Sequence, residues 1–250
     1  MKEGGVCSPQ RQLPVAVLEV AAAFMLLAVL SAFAGGMVEL PRQAMWAAAG
    51  VLLAVCAAIL YQWPDPRTTL GPANRVTLGR AVLVALVAGT IAAPAWVQQH
   101  ATLVAAVAAV ALALDGVDGW VARRWRCASA FGARFDMELD AFLILALCVH
   151  LLVMGKAGSW VLAIGAMRYV CVAAMRIWPW VDGPLPESKR RKLVCVWQVG
   201  SLLVCLLPGV RGGFALFLLW AALALLVWSF ALDVRWLHRQ RAVSAVGSFP

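Results

Sequence analysis

Charge is scarce in this chain. Only 13% of its 250 residues are Asp, Glu, Lys or Arg, and 64% are hydrophobic, whereas soluble domains run to about a quarter charged. A soluble globular domain is excluded, because so few polar side chains could not cover the apolar surface. The mean hydropathy of +0.86 fits a chain whose solvent is lipid. Acids are scarcer still, 12 against 21 basic residues, for a net charge of +9. In a membrane chain such an excess marks cytoplasmic loops, so nucleic acid is not expected as a partner. The seven cysteines contain no CxxC pair. Cys56, Cys148, Cys171, Cys195 and Cys205 lie in or beside apolar runs and are expected to act as reduced hydrophobes. The histidines share no ligand spacing. His100 is expected in an outer loop, His150 mid-span and His238 in the tail. There is no internal repeat and no low-complexity segment.

What is present is a series of apolar runs, each near the roughly 20 residues that a helical span requires. They fall at 14–37, 44–62, 80–97, 101–118, 137–154, 158–177, 193–209 and 213–232. The expected fold is an all-α integral membrane bundle of about eight transmembrane helices with both termini cytoplasmic. With that orientation the outer loops hold only Arg42, Lys156 and Arg211, and nearly all other basic residues fall inside, as the positive-inside rule requires. The first run ends in "AFAGG", like a signal-peptidase site, but its length and Glu19 favour a retained helix. Trp63, Trp96, Trp160, Trp178 and Trp180 fall near span ends, where the aromatic belt lies.

Against this apolar background, residues 115–140 hold four of the seven aspartates. They are expected at the cytoplasmic ends of the fourth and fifth spans. Asp115 and Asp118 are three apart, and Asp136 and Asp140 are four apart. Each pair therefore projects within roughly 60° of one helix face. If the connector turns one helix back on the next, four hard oxygen ligands meet. Four unpaired carboxylates would repel one another, a divalent cation removes that cost, and all-oxygen ligation suits Mg²⁺ or Mn²⁺ rather than zinc. The plainer alternative pairs these acids with Arg123, Arg124, Arg126 and Arg134. It accounts for charge balance but not for the regular spacing.

Asp115-x-x-Asp118-Gly119-x-x-Ala122-Arg123, then eight residues, then Gly132-x-x-x-Asp136-x-x-x-Asp140 resembles the signature of the CDP-alcohol phosphotransferase family, with every fixed position filled. The resemblance extends from about residue 70 to 235. It implies a six-helix catalytic core (67–235), two additional N-terminal helices (1–66) and a short cytoplasmic tail (236–250). It also implies transfer of a substituted phosphoryl group from a CDP-linked donor to an alcohol, with release of CMP. Asp115, Asp118 and Asp136 would then be the principal ligands of two divalent ions. Asp140 would be the general base, also near the second metal.

The chemistry asks for such an arrangement on general grounds. Two ions roughly 4 Å apart can neutralise a diphosphate, and a nearby carboxylate can take the alcohol proton. Arg123 can hold phosphate through its forked donors. Gly119 and Ala122 leave room for the nucleotide, Gly132 belongs to the same donor-side motif, and Ser129 could add a hydrogen bond or be an ordinary loop serine. "GPANRVTLGR" resembles the family's Asn-x-x-Thr element, placing Asn74 and Thr77, with Arg80 beside them, at the donor pocket. Asn74 could equally be a helix N-cap. Arg168 lies inside the sixth span, where a charge usually faces a cavity or a partner. With Arg176 and Lys189 it makes a candidate pocket for an acceptor alcohol that carries a phosphate or another anionic group. Two other roles remain open here, a bridge from Arg168 to an acid such as Glu19 and membrane anchoring by the run 189–192.

The resulting expectation is a phospholipid-synthesising transferase in the cytoplasmic membrane, its site facing the cytoplasm, that moves a phosphatidyl group from CDP-diacylglycerol to an alcohol. A homodimer is expected from the resemblance. One rival uses CDP-choline or CDP-ethanolamine as donor and diacylglycerol as acceptor. A second, from another class, is a transporter, which would spread its charges along the spans rather than cluster them at one depth.

Overall fold

The computed structural model describes residues 13–62, 71–124, 130–178, 180, 183, 188–210 and 212–246. Side chains at 13–17, 34, 35, 37, 62, 71–74, 117–124, 130 and 241–246 lie outside that description. Eight α-helices and no strand occur among the described residues: α1 (Leu13–Val38), α2 (Arg42–Gln62), α3 (Gly71–Gly89), α4 (Pro94–Arg124), α5 (Ala130–Val153), α6 (Leu162–Ile177), α7 (Lys189–Leu206) and α8 (Gly212–Val246).

Five stretches are long and apolar enough to cross a membrane: Arg42–Tyr61, Arg75–Ala92, Pro94–Gly116, Ser159–Ile177 and Gly212–Gln240. By length and composition this is a multi-pass membrane protein. In the other three helices the described residues offer shorter apolar stretches. α1 offers Leu18–Phe33, α5 carries Arg134, Asp136, Glu138 and Asp140 in its first turns, and α7 opens on Lys189-Arg190-Arg191-Lys192. Large apolar side chains such as Phe33, Trp46, Leu193, Phe217 and Trp220 are exposed, while much of the helix contact is made by alanine and glycine. That inversion suits a lipid solvent.

Helix boundaries depart from the apolar runs in a regular way. The break expected at 98–100 lies instead at 90–93, where a 3₁₀ turn (Thr90–Ala92) precedes Pro94. Proline excludes helical geometry from the residue before it and is well suited to the first helical turn. Ala93 accordingly sits at φ −128°, ψ 65°. His100, placed in a loop by its polarity, is a kink inside α4, at φ −116°, ψ 26°. α3 starts at Gly71, so Asn74 lies within its first turn and is not the N-cap. α8 continues to Val246, through most of the residues expected to form a tail.

The chain forms two compact units, Met1–Trp96 with Val107–Asp140, and Val97–Ala106 with Ala141–Pro250. Within the first, α1 and α2 pack on α3. In the first unit Ala23 and Leu27 of α1, Leu52, Cys56 and Ile59 of α2 and Leu78, Val82 and Ala85 of α3 share one core, with Phe131 and Phe135 of α5 against it. A Cβ on Gly89 would lie 2.6 Å from the Ala44 carbonyl oxygen and from Ala48 Cβ. The close approach of α2 and α3 therefore depends on that glycine.

In the second unit α8 packs on α6 and α7. Lys156, between α5 and α6, donates from Nζ to the carbonyls of Cys205 (2.8 Å), Leu206 (3.1 Å) and Leu207 (2.6 Å), capping the C-terminus of α7. At the opposite end of α7, Arg190 donates to the Asp233 carboxylate and to the Ser229 carbonyl (2.9 Å) of α8.

Candidate active site

α3, α4 and α5 bring three of the four aspartates to one point, and an arginine lies among them. Arg80 is 1% exposed, one turn beyond the equally buried Thr77. A guanidinium that far from water needs acidic partners, because an uncompensated charge there costs several kcal/mol. Arg80 finds three. Its Nη1 donates to Asp115 Oδ1 and its Nη2 to Asp136 Oδ1. Nη2 also lies 3.2 Å from Asp140 Oδ1 and 3.4 Å from the Asp136 carbonyl oxygen. The planar fork, with five donors in fixed directions, lets one side chain serve three acids.

Asp115 lies on α4, and Asp136 and Asp140 lie one turn apart on α5. Each of these side chains keeps about a third of its surface open: 38%, 33% and 34%. They meet Arg80 on one side and remain accessible on the other. Asp115, Asp136 and Asp140 each offer an oxygen, and the three oxygens lie within 4.8 Å of one another. Ligands on opposite sides of a six-coordinate Mg²⁺ or Mn²⁺ stand about 4.2 Å apart, so small side-chain rotations would bring these oxygens onto a shared ion. Among the described residues no histidine or cysteine joins the group. The donor set fits a hard divalent cation and does not fit zinc.

Asp118 lies one turn after Asp115 on α4, and Gly119, Ala122 and Arg123 follow on the same helix. Their side chains, like that of Asn74, lie outside the described residues, and Ser129 lies outside them altogether. Gly132 is on α5, one turn before Asp136. In the second unit Arg168 is half-buried mid-helix on α6, Arg176 is exposed in the last turn of α6, and Lys189 is exposed at the start of α7.

Of the four arginines weighed as partners for the acids, the side chains of Arg123, Arg124 and Arg126 lie outside the described residues. The alternative partner on α5, Arg134, is exposed, and Arg80, grouped with the donor pocket, is the residue that pairs. The signal was present, since an arginine inside an apolar helix must find acids at its own depth, and Asp115, Asp136 and Asp140 supply them. Glu19, considered as a partner for Arg168, instead accepts a 2.7 Å hydrogen bond from Arg75 Nε.

Where α3, α4 and α5 meet, the chain thus gathers three carboxylates and an arginine, a set that could hold a divalent cation. A family model described as CDP-alcohol phosphatidyltransferase matches residues 70–228, more than half the sequence, and the chain belongs to that family. Its members are transferases of substituted phosphate groups that act in phospholipid biosynthesis. Asp115, Asp136, Asp140 and Arg80 all lie in the matched segment.

Two curated relatives are CDP-diacylglycerol–glycerol-3-phosphate 3-phosphatidyltransferases. That of Salmonella choleraesuis (strain SC-B67) is 30% identical over 132 residues, 51% of this chain and 66% of that one. The chloroplastic/mitochondrial enzyme 1 of Arabidopsis thaliana is 28% identical over 142 residues, 52% of this chain and 47% of that one. The chain thus spans about half to two thirds of the length of these relatives. No solved structure matches.

Proposed function

We propose that this chain transfers the phosphatidyl group of CDP-diacylglycerol to an alcohol acceptor, with glycerol 3-phosphate the preferred acceptor, and releases CMP. The observation that carries the proposal is the convergence of Asp115, Asp136 and Asp140 on one point within the family-matched segment. Glycerol 3-phosphate is favoured over serine, inositol phosphate or choline by the printed activities of the two relatives. CDP-diacylglycerol is favoured over CDP-choline or CDP-ethanolamine as donor by the printed names of the same two relatives. A transporter is disfavoured because the acids cluster at the ends of α4 and α5.

In this proposal residues 67–235 are the catalytic core and 1–66 an added helix pair. The eight helices span the cytoplasmic membrane with both termini and the carboxylate cluster on the inner side. Asp115, Asp118, Asp136 and Asp140 would hold two Mg²⁺ or Mn²⁺ ions. When bound, the ions supply positive charge that neutralises the diphosphate and stabilises the departing CMP.

The rest is done by side chains. Arg80 fixes the spacing of the carboxylates. Asn74, Thr77, Gly119, Ala122, Arg123, Ser129 and Gly132 form the wall against which the cytidine diphosphate rests, Arg123 through its fork. Arg168, Arg176 and Lys189 receive the acceptor's own phosphate. The acceptor hydroxyl oxygen attacks the lipid-side phosphorus, the anhydride bond breaks, and CMP departs with the bonding pair. Asp140 takes the hydroxyl proton.

The test is to supply the purified full chain with Mg²⁺, radiolabelled CDP-diacylglycerol and a panel of alcohols, and to read both CMP and the lipid product. Glycerol 3-phosphate should give the largest turnover. Turnover confined to another alcohol would overturn the acceptor assignment, and CMP release with none would overturn the transferase proposal. Arg168→Ala should raise the apparent KM for the acceptor well above any change for the donor. The opposite pattern would move Arg168 to the donor side.

A further inference from the structure

α8 is longer than a bilayer requires. Its 35 residues extend about 52 Å at 1.5 Å per residue, against roughly 30 Å of hydrocarbon. One stripe along its second half changes character abruptly. Val227, Phe230, Ala231 and Val234 recur at helical spacing, and the same face then turns basic at Arg235, His238 and Arg239. These residues line an open groove of about 710 Å³, walled on one side by Met167 of α6 and at its basic end by Trp180.

The Trp180 ring meets His238 edge-on, with centroids 5.8 Å apart. Close by, a Cβ on Gly183 would lie 2.8 Å from the Leu237 side chain, so Gly183 lies directly against α8. Among the described residues neither Arg235 nor Arg239 has an acidic partner. Among the described residues the acid next to Arg235 in sequence, Asp233, is already held by Arg190, with Arg191 3.9 Å away.

We propose that this groove is a binding site for one anionic phospholipid, with an acyl chain along Val227–Val234 and the phosphate head between Arg235 and Arg239. The order of the stripe carries the assignment. Apolar, then aromatic, then cationic is the order in which a lipid presents tail, interface and head. A soluble phosphate would have no use for the apolar half. A zwitterionic lipid would leave two arginines without a net counter-charge, whereas basic residues at the membrane surface favour anionic lipid. The stripe from 227 to 239 covers about 18 Å, enough for a head group and much of one acyl chain. The groove shares no residue with the carboxylate cluster and does not depend on the transferase proposal. A catalytically dead chain with an intact groove would still bind.

Native mass spectrometry of the full chain in neutral detergent, with dioleoyl phosphatidylglycerol and dioleoyl phosphatidylcholine offered at equal concentration, tests the site. One phosphatidylglycerol should be retained in preference. The double variant Arg235→Gln, Arg239→Gln should bind it more weakly by roughly tenfold or more. Ala231→Trp, which fills the apolar half and leaves both charges, should also reduce retention. Equal retention of the two lipids, or undiminished phosphatidylglycerol binding in the double variant, would overturn the proposal. So would full retention in Ala231→Trp, which would reduce the contact to a surface charge effect. Displacement by inorganic phosphate would reassign the arginines to a free anion and overturn it equally.

Discussion

Arg80 joins the buried interior of α3 to the acids of α4 and α5. Its guanidinium serves Asp115, Asp136 and Asp140 at once, a task that depends on shape as well as charge. Lysine offers a point charge on a flexible stem and could reach one or two of the three. Arg80→Lys should therefore keep the fold but lower kcat/KM by roughly tenfold to a hundredfold, since carboxylates set at the wrong spacing grip the donor poorly. Arg80→Leu removes the charge and leaves three acids facing one another, which should destabilise the protein by about 3 kcal/mol. Thermal unfolding of that variant should show a larger gain from added Mg²⁺ than the parent does, because the cation then replaces the lost charge. An unchanged Tm for Arg80→Leu would contradict this account. Asp140 has the separate role of proton acceptor. Asp140→Asn should lower kcat by roughly a hundredfold to ten-thousandfold while nucleotide still raises the Tm, and normal turnover would remove Asp140 from the base role.

At the scale of helices, contacts that need close approach or local satisfaction decide stability. Gly89 lets α2 and α3 touch through backbone and small side chains. Gly89→Ala should cost about 1–3 kcal/mol, because the atoms in the way belong to the Ala44 backbone and to Ala48 Cβ. Lys156 closes three carbonyls at the end of α7. Lys156→Met, similar in length and without the charge, should cost about 2 kcal/mol. A Tm unchanged within error in either variant would refute the corresponding contact.

These helices were legible in the sequence as apolar runs, and that is also where legibility stopped. Hydropathy marks the lipid-immersed part of a helix and is blind to its polar continuation, so α3, α4, α5 and α8 all extend beyond their apolar cores. Pro94 was the better guide to the α3–α4 break than the polar pair before His100. The meeting of Asp136 and Asp140 at one point was legible because i+4 spacing puts them on one helix face. Arg80's partners were not, because spacing within α3 carries no information about which neighbouring helix it meets.

For the molecule as a whole, the asymmetry of lysine and arginine sets the proposed orientation. A single cysteine introduced at Ser159, beside the α5–α6 turn, should react with a membrane-impermeant thiol reagent added to intact cells. One at Gln240 of α8 should react only after permeabilisation. The reverse pattern would place the carboxylate cluster on the outer side and remove it from a cytoplasmic CDP-linked donor.

Whether one cation is held jointly from α4 and α5 can be read from Mn²⁺ binding to the detergent-purified chain, followed by electron paramagnetic resonance. The parent should sequester Mn²⁺, and the single variants Asp115→Asn and Asp136→Asn should each weaken that binding by roughly tenfold or more. If both variants bind Mn²⁺ as tightly as the parent does, the carboxylate cluster is an Arg80 ion-pair network and not a metal centre.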